Sequence, residues 1–158
     1  MQLTQFTDYA LRILLYLAHH PPVDGERLPA VLDVSRAYGI STNHLSKVAR
    51  LLVQNGIVKA TRGRNGGLQL AKRPEDINLG EVVRRCEPHF DIVECFDMRT
   101  NTCPIVGGCA LKGLLADAKR QFLTVMDGKT LADVAGQRQR LVQLWKSPRG
   151  TPPRDSNA

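Results

Sequence analysis

Acidic residues are absent from a long central stretch of this 158-residue chain. No Asp or Glu occurs between Asp33 and Glu75, an interval of 41 residues that contains eight Lys or Arg residues. The whole chain has a formal net charge of +7 and a sequence pI of about 9.6. A charge run is usually a solvated face, but the complete lack of acid here favours a polyanionic partner, with nucleic acid first.

Long apolar runs are also missing. No stretch approaches the roughly 18 consecutive apolar residues that a membrane-spanning helix requires. The apolar segment at residues 11–18 is short and follows Asp8 instead of a basic region, which is unlike a signal peptide. We therefore expect a cytoplasmic protein without a membrane partner. In a reducing compartment, its four cysteines would serve more readily as ligands than as disulfides.

The residue patterns of common active sites are lacking as well. We find no nucleophile–base pair, phosphate-binding loop or pair of carboxylates in a suitable context, so we predict that the protein is not an enzyme. No closely spaced C-x-x-C pair of the kind used by structural zinc sites is present. Aromatic residues make up only 5% of the chain, but 42% is hydrophobic, which is enough for one domain with an appended element.

Helical periodicity predicts three helices in the first part of the chain. The first covers residues 2–19 and is apolar on most sides, so it should be buried or lie in a subunit contact. The second covers residues 28–38 and ends at Gly39, and the third runs from an N-cap at Ser41 to Gly56. Two helices joined by a short turn with Gly are typical of the helix-turn-helix motif.

A glycine-rich hairpin follows the predicted helix-turn-helix. Short strands at residues 57–61 and 68–71 flank the sequence RGRNGG, which indicates a wing whose arginines reach phosphates or the minor groove. The third helix would enter the major groove by its N-terminal residues, where Asn and Lys suit contacts with purines. The predicted contacts to a double-stranded DNA operator are Ser41, Thr42, Asn43, His44, Lys47, Arg50, Arg62, Arg64 and Asn65.

Two more helices are predicted in the second half of the chain. A short one covers residues 79–86, and a long amphipathic one covers residues 110–126. One small domain rarely covers both this long apolar stripe and the first helix, so we predict a homodimer. The fold class is mostly α with a small β-wing: a winged helix-turn-helix (1–76), a cluster-binding loop with a dimerisation helix (77–136), and a largely disordered tail (137–158).

Three cysteines are concentrated in one irregular loop. Cys95, Cys103 and Cys109 are separated by seven and then five residues, and the intervening Gly and Pro disfavour helix and strand. Iron–sulfur clusters accept such irregular spacing, and three thiols can hold three irons of a cubane. The fourth ligand stays open, and Cys86 is the default because sulfur is soft, although a lone Cys in an apolar helix is more often core. The candidates are Cys86, Asp8, His89, Glu94 and Asp97.

Several stretches of the chain resemble a winged-helix family of cluster-binding bacterial regulators. The similar segments are MQLTQFTDYALRILLYLA, GRNGGLQLAK and the loop ECF…NTCPI…CALKGLL. The resemblance covers about residues 1–135 and is greatest to the members that sense nitric oxide. It implies a homodimeric repressor with a 4Fe–4S cluster on Cys95, Cys103 and Cys109, with 2Fe–2S as the alternative. It also implies that Asp8, in the matching FTDY stretch, is the fourth ligand from the partner subunit.

Some positions depart from this family pattern. The branch that controls iron–sulfur biogenesis has a His three residues after the last Cys, where this chain has Lys112. The extra Cys86, the residues before Ser41 and the tail after Gly136 also differ. Iron-sensing members share a similar cysteine spacing, so an iron- or redox-responsive regulator is the alternative function. An electron-transfer protein is the alternative from another class, but it would not need the basic segment.

Overall fold

Helix α1 lies at the centre of the apolar core. In the computed structural model, which describes residues 2–136 and 138–146, this helix spans Gln5–His19. It begins three residues later than predicted because Thr4 is its N-cap, and the Thr4 hydroxyl accepts a hydrogen bond from the Thr7 N–H at 3.3 Å. Its fully buried side chains include Ala10, Ile13, Leu14 and Leu17.

The helix-turn-helix is formed by α2 (Val31–Tyr38) and α3 (Thr42–Gln54). Gly39 ends α2 with a φ of 65°, a left-handed conformation that Gly adopts without a steric penalty. Ser41 caps α3 as predicted, because its hydroxyl accepts a hydrogen bond from the Asn43 N–H at 3.3 Å. The core side of α3, which packs against α1, consists of Leu45, Val48, Ala49 and Leu52.

The wing is an antiparallel hairpin of β1 (Val58–Thr61) and β2 (Gly67–Leu70). The chain just before α2 also pairs with it: the Leu28 N–H donates to the Asn65 carbonyl at 3.2 Å, and the Leu68 N–H donates to the Pro29 carbonyl at 2.8 Å. The prediction that α2 begins at residue 28 is therefore wrong. Leu28 and Pro29 lie outside the helix because their backbone groups bind the wing, and Ala30 is the N-cap residue, whose N–H donates to the Asp33 side chain at 2.7 Å.

Close backbone approach requires glycine in this hairpin. A Cβ atom on Gly67 would lie 2.6 Å from the carbonyl oxygens of both Leu28 and Pro29. Gly63, at the tip, has a φ of 111°, which strains any other residue. The glycines thus hold the wing against the segment that leads into α2, so the wing and the helix-turn-helix form one unit.

The second half of the chain packs against α1 through α4 (Leu79–Cys86) and through Leu131. The Leu131 N–H donates to the Ile77 carbonyl at 2.8 Å, and the fully buried Leu131 side chain enters the core beside α1. None of the helices in the described ranges combines the length and apolar character that a bilayer crossing requires. The elements are a 3-10 turn (Pro74–Asp76), α4 (Leu79–Cys86), a 3-10 turn (Glu94–Phe96), α5 (Ala110–Asp127), α6 (Leu131–Val134) and α7 (Arg138–Lys146).

Helix α7 corrects the prediction of a largely disordered tail, as far as the described residues go. Its Trp145 ring lies 5.2 Å from the ring of Tyr16 on α1 and 5.7 Å from that of Tyr38 on α2, measured between centroids. The Trp145 ring is tilted by 52° to Tyr16 and meets Tyr38 edge-on at 70°. These aromatic contacts anchor the short helix, in agreement with the sequence-based expectation that Trp145 docks on the domain. The disorder predicted for residues 147–158 concerns positions outside the described ranges.

Candidate DNA-binding surface and cysteine loop

The side of α3 that faces away from the core carries the predicted base-contacting residues. Asn43, His44, Lys47 and Arg50 are exposed, whereas Thr42 is half-buried. The exposed and buried residues lie on opposite sides of α3, because the helical repeat places Leu45, Val48 and Leu52 against α1. The Ser41 hydroxyl is partly committed to capping the helix, so it is less available to DNA than the other side chains.

The wing carries the remaining predicted DNA contacts. Arg62, Arg64 and Asn65 are all exposed at the hairpin tip, and the Asn65 carbonyl anchors the tip to Leu28. Within the described part of the chain, no carboxylate forms an ion pair with either arginine, nor with Lys47 or Arg50 on α3. Their positive charge is thus not neutralised locally, which is the electrostatic condition for binding phosphates.

Sequence reasoning missed other residues that border this surface. Arg36 on α2 and Lys59 on β1 are exposed and belong to the acid-free segment, so the charge pattern could have identified them. The half-buried Tyr9 stacks its ring on His44, with 6.3 Å between centroids and an interplanar angle of 24°. No sequence signal pointed to Tyr9, because its proximity to α3 depends on how α1 packs.

The cysteine loop is built from turns, as predicted. A 3-10 turn at Glu94–Phe96 contains Cys95, and the Asn101 side-chain carbonyl accepts a hydrogen bond from the Cys103 N–H at 3.1 Å. Cys109 is the N-cap residue of α5, so its sulfur lies at the positive end of an 18-residue helix. All three positions are thus held by local backbone structure, one by a 3-10 turn, one by a side-chain-capped turn and one by a helix start.

The three loop thiols have a similar degree of burial, but they are not close enough together to bind one metal ion. Each is half-buried, and none forms a disulfide. Across the described ranges, no three His, Cys, Asp or Glu side chains converge to metal-binding geometry. Ligand groups rarely adopt a metal-binding geometry before the metal organises them, and negatively charged thiolates repel one another when no cation lies between them. The metal role of Cys95, Cys103 and Cys109 therefore stays a prediction.

The oxygen and nitrogen candidates for a fourth ligand each have local partners. Asp97 binds Arg99 through both carboxylate oxygens at 3.1 Å, which holds the pKa of Asp97 below its usual range. Glu94 accepts a hydrogen bond from the Thr102 hydroxyl at 3.2 Å. The exposed His89 ring nitrogen lies 3.8 Å from a carboxylate oxygen of Asp91. None of these contacts points to a shared ligand position.

Asp8 lies in the first turn of α1, where it forms a bidentate pair with Arg12. The two carboxylate oxygens lie 2.8 Å from Nε and 2.7 Å from Nη2 of that arginine. The Asp8 side chain is 42% exposed, so it lies at the protomer surface even though both of its oxygens bind Arg12. An aspartate held in this way has a defined orientation, which an unpaired surface side chain would lack.

Cys86 differs from the other three cysteines. It is buried in the core cluster at the end of α4, and burial raises the pKa of its thiol to about 11. Thiolate is the form that binds metals, and a buried thiol in apolar surroundings resists deprotonation. Sulfur is a soft ligand and suits iron, but the burial of Cys86 in the core makes it less suited to metal binding than the three loop cysteines.

A recognition helix and an acid-free wing on one surface define a winged-helix DNA-binding protein. The sequence profile of the Rrf2 family, described as an iron-dependent transcriptional regulator, matches residues 3–137. The chain belongs to the Rrf2 family, and it is a DNA-binding transcriptional regulator. This membership confirms the predicted fold class and the prediction that the protein is not an enzyme.

Individual relatives agree with this assignment. The chain is 45% identical to the HTH-type transcriptional regulator NsrR of Halalkalibacterium halodurans over 146 residues, covering 92% of this chain and 98% of that protein. It is 46% identical to NsrR of Bacillus subtilis, again over 146 residues, with the same coverage. These matches confirm the resemblance seen in the sequence motifs.

Solved structures support the fold. CymR, the global cysteine regulator of B. subtilis, superposes with a TM-score of 0.66 at 24% identity, covering 85% of this chain and 96% of that chain. The IscR of T. potens superposes with a TM-score of 0.65 at 24% identity, covering 95% of this chain and 94% of that chain. At this identity the likeness concerns the fold alone.

Removing the wing arginines should flatten the salt dependence of DNA binding. We expect each of Arg62→Ala and Arg64→Ala to lower the slope of log K against log salt by about 0.9, the value for one lost phosphate contact. Fluorescence anisotropy over a salt series gives this slope. Lys129→Ala, which removes one exposed charge far along the chain from the wing, should leave the slope unchanged. Wild-type slopes in both arginine variants would exclude the wing from the interface.

Thiol reactivity should separate Cys86 from the loop cysteines. Because its pKa lies well above neutral, Cys86 stays protonated at pH 8 and is shielded by the core. In metal-free, reduced protein we expect iodoacetamide to modify three thiols quickly, and mass spectrometry should locate them at Cys95, Cys103 and Cys109. The Cys86→Ala variant should gain the same three groups. Modification of a fourth thiol at the same rate in the folded wild-type protein would contradict the assigned burial.

Proposed function

We propose that this regulator is a homodimeric repressor that binds a DNA operator and responds to nitric oxide through an iron–sulfur cluster. The observation that carries the proposal is the trio of free, half-buried thiols at Cys95, Cys103 and Cys109, placed between α4 and α5. The relatives named NsrR and the iron-dependent description of the family support the same choice. A regulator that binds the chromosome acts in the cytoplasm, which is where we place it.

The chemistry of the loop fits an iron–sulfur cluster. Cysteine thiolates are the usual protein ligands of such clusters, and irregular spacing is accepted. None of the three thiols is consumed in a disulfide, and the turns between them leave the backbone free to adjust. A 4Fe–4S cluster is proposed, with 2Fe–2S as the alternative. When bound, it would supply iron that reacts with nitric oxide.

Asp8 is the proposed fourth ligand, provided by the partner subunit. Cys86 is buried and protonated, so it is unsuited to the role. Asp8 is partly exposed at the first turn of α1, and Arg12 orients its carboxylate. An oxygen ligand binds iron more weakly than a thiolate does, so the iron that it holds would be the most accessible to a small signal molecule.

The exposed apolar side of α5 supports the homodimer. This helix has 18 residues, and none of them is buried within the protomer. Leu114 is 65% exposed and Leu111 is 59% exposed, which is unusual for two leucines on one side of a helix. Packing against the same helix of a second copy would cover them, and the two-fold axis would match the symmetry of paired DNA half-sites.

The proposed regulation is a linkage between the loop and DNA. Cys109 begins α5, which packs against α4, and α4 packs against α1, so the state of the loop can bias the separation of the two recognition helices. A coupling free energy of about 1–3 kcal/mol would change the affinity for the operator by roughly 5–150-fold. In this proposal, the protein binds its operator while the loop cysteines hold their ligand, and it releases the operator when that ligand is lost.

Iron sensing is the second candidate function. The description of the Rrf2 family as iron-dependent favours it, because the same three thiols could report iron supply by filling or losing their ligand. The DNA-binding part of the proposal would be unchanged. The signal alone differs, and a comparison of chelator with nitric oxide separates the two candidates.

Anaerobic purification should give a coloured protein with visible absorption that changes when a nitric oxide donor is added. We expect operator affinity, measured by anisotropy, to fall at the same time. Cys103→Ala should be colourless and bind the operator weakly, whereas Cys86→Ala should match the wild type, because Cys86 is a core residue. A chelator that weakens binding while nitric oxide does not would favour iron sensing. Equal affinity in all states would refute regulation through the loop.

The dimer predicts a specific effect of charge on α5. Leu114→Glu places a carboxylate on the exposed apolar side, so the variant should sediment as a monomer and bind a two-half-site operator far more weakly. Thr124→Glu adds the same charge at an exposed position of the same helix outside that apolar side, and it should remain dimeric. Analytical ultracentrifugation distinguishes the two species. A dimeric Leu114→Glu variant would show that α5 is not the interface.

A further inference from the structure

The last turn of α4 contacts three separate elements through three polar side chains. Arg84 binds Asp127 at the end of α5, with an Nη2–Oδ2 distance of 2.7 Å. Arg85 binds Asn55 at the end of α3, and Glu87 binds Thr4 at the start of α1. These residues lie on the α4 side of the segment that leads to Cys95, so α4 joins the cysteine loop to the DNA-binding half of the chain.

The Arg85 contact reaches the recognition helix directly. Its Nη1 donates a hydrogen bond to Asn55 Oδ1 at 2.9 Å. Asn55 is the C-cap residue of α3, and its Nδ2 and backbone N–H both donate to the Leu51 carbonyl, at 2.9 Å and 3.0 Å. The side chain of Asn55 thus bridges the final turn of α3 and the guanidinium on α4.

The Glu87 contact ties the other end of the same segment to α1. Its Oε1 accepts hydrogen bonds from the Thr4 N–H at 2.7 Å and from the Thr4 hydroxyl at 3.1 Å. Thr4 is the N-cap of α1, four residues before Asp8. A displacement of Glu87 would therefore also move Thr4 and the first turn of α1, which contains Asp8.

Helix α4 is held rigid by the buried residues on its inner side. Val82, Val83 and Cys86 are buried on its inner side, so its backbone cannot deform without disturbing the core. Arg85, in contrast, is exposed, and exposed polar contacts contribute little to global stability. Losing the Arg85–Asn55 bond should thus alter how α3 is held while the fold remains intact.

We propose that Arg85 is a positioning residue that transmits the state of the cysteine loop to the recognition helix through Asn55. The inference rests on the proposed function, since it needs a loop whose state changes. Arg84 binds α5 and Glu87 binds the N-cap of α1, while Arg85 donates a hydrogen bond from α4 to the end of α3. A two-state element that both sites bias is the physical requirement for such coupling.

The test compares operator affinity before and after a nitric oxide donor in each variant, using the full-length, cluster-loaded protein. The measured quantity is the ratio of the two dissociation constants. We expect Arg85→Ala and Asn55→Ala each to reduce the wild-type ratio roughly two- to fivefold, the range for one exposed charge-assisted contact. The double variant should lose no more than Asn55→Ala alone, because the one bond that Arg85→Ala removes is also removed by Asn55→Ala.

Controls separate this effect from charge and folding. Lys129→Ala also removes one exposed positive charge, but Lys129 is not a predicted DNA contact, so both dissociation constants and their ratio should be unchanged. The visible spectrum should match the wild type in every variant, and thermal unfolding should match it in Arg85→Ala and Lys129→Ala. Asn55→Ala should unfold at a slightly lower temperature, because it also loses the hydrogen bond to the Leu51 carbonyl. A wild-type ratio in Arg85→Ala, or additive losses in the double variant, would overturn the role of Arg85. A ratio of one in the wild-type protein itself would instead refute the proposed regulation, and the inference with it.

Discussion

The packing of α1 against α3 is the contact on which the rest of the structure depends. Leu14 and Leu17 of α1 and Leu45 of α3 are almost completely buried in one cluster. Burial of each such side chain contributes about 1.5–3 kcal/mol, so this interface outweighs any surface contact in the chain. It sets the orientation of the recognition helix, because the apolar side of α3 packs against α1 and the polar side therefore faces outward.

This contact also places two sites of different chemistry on one rigid body. The first turn of α1 holds Asp8 with Arg12, while the ring of Tyr9 in the same turn stacks on His44 of α3. The proposed ligand and the proposed DNA-reading surface are therefore neighbours through a packed helix. Because close-packed cores deform little, a displacement of the first turn of α1 would also displace the residues of α3 that pack against α1.

The cysteine loop has the opposite character. Its three half-buried thiols are held by a 3-10 turn, by a turn capped by Asn101 and by the start of α5. Turn residues alone allow several arrangements of the sulfur atoms, and only a bound cation would select one of them. The proposed function depends on this property, because a loop that kept its shape without its ligand could not report the loss of that ligand.

Local sequence determined most elements of the fold and the chemical types at the site. Helix periodicity, the Ser41 cap and the glycines at Gly39 and Gly56 mark boundaries that the structure confirms, because each acts within a few residues. The same periodicity identified the exposed side of α3. The acid-free segment indicated the partner, since net charge does not depend on how the chain folds.

Only the tertiary structure decided how distant segments meet. Leu28 and Pro29 lie outside α2 because the wing takes their backbone hydrogen bonds, and no local pattern shows a partner almost 40 residues away. Cys86 is a core residue, and Arg85 reaches Asn55, for the same reason: both depend on how α4 packs. Sequence sets which groups are available, while burial and proximity, which fix their protonation and partners, arise only when the whole chain folds.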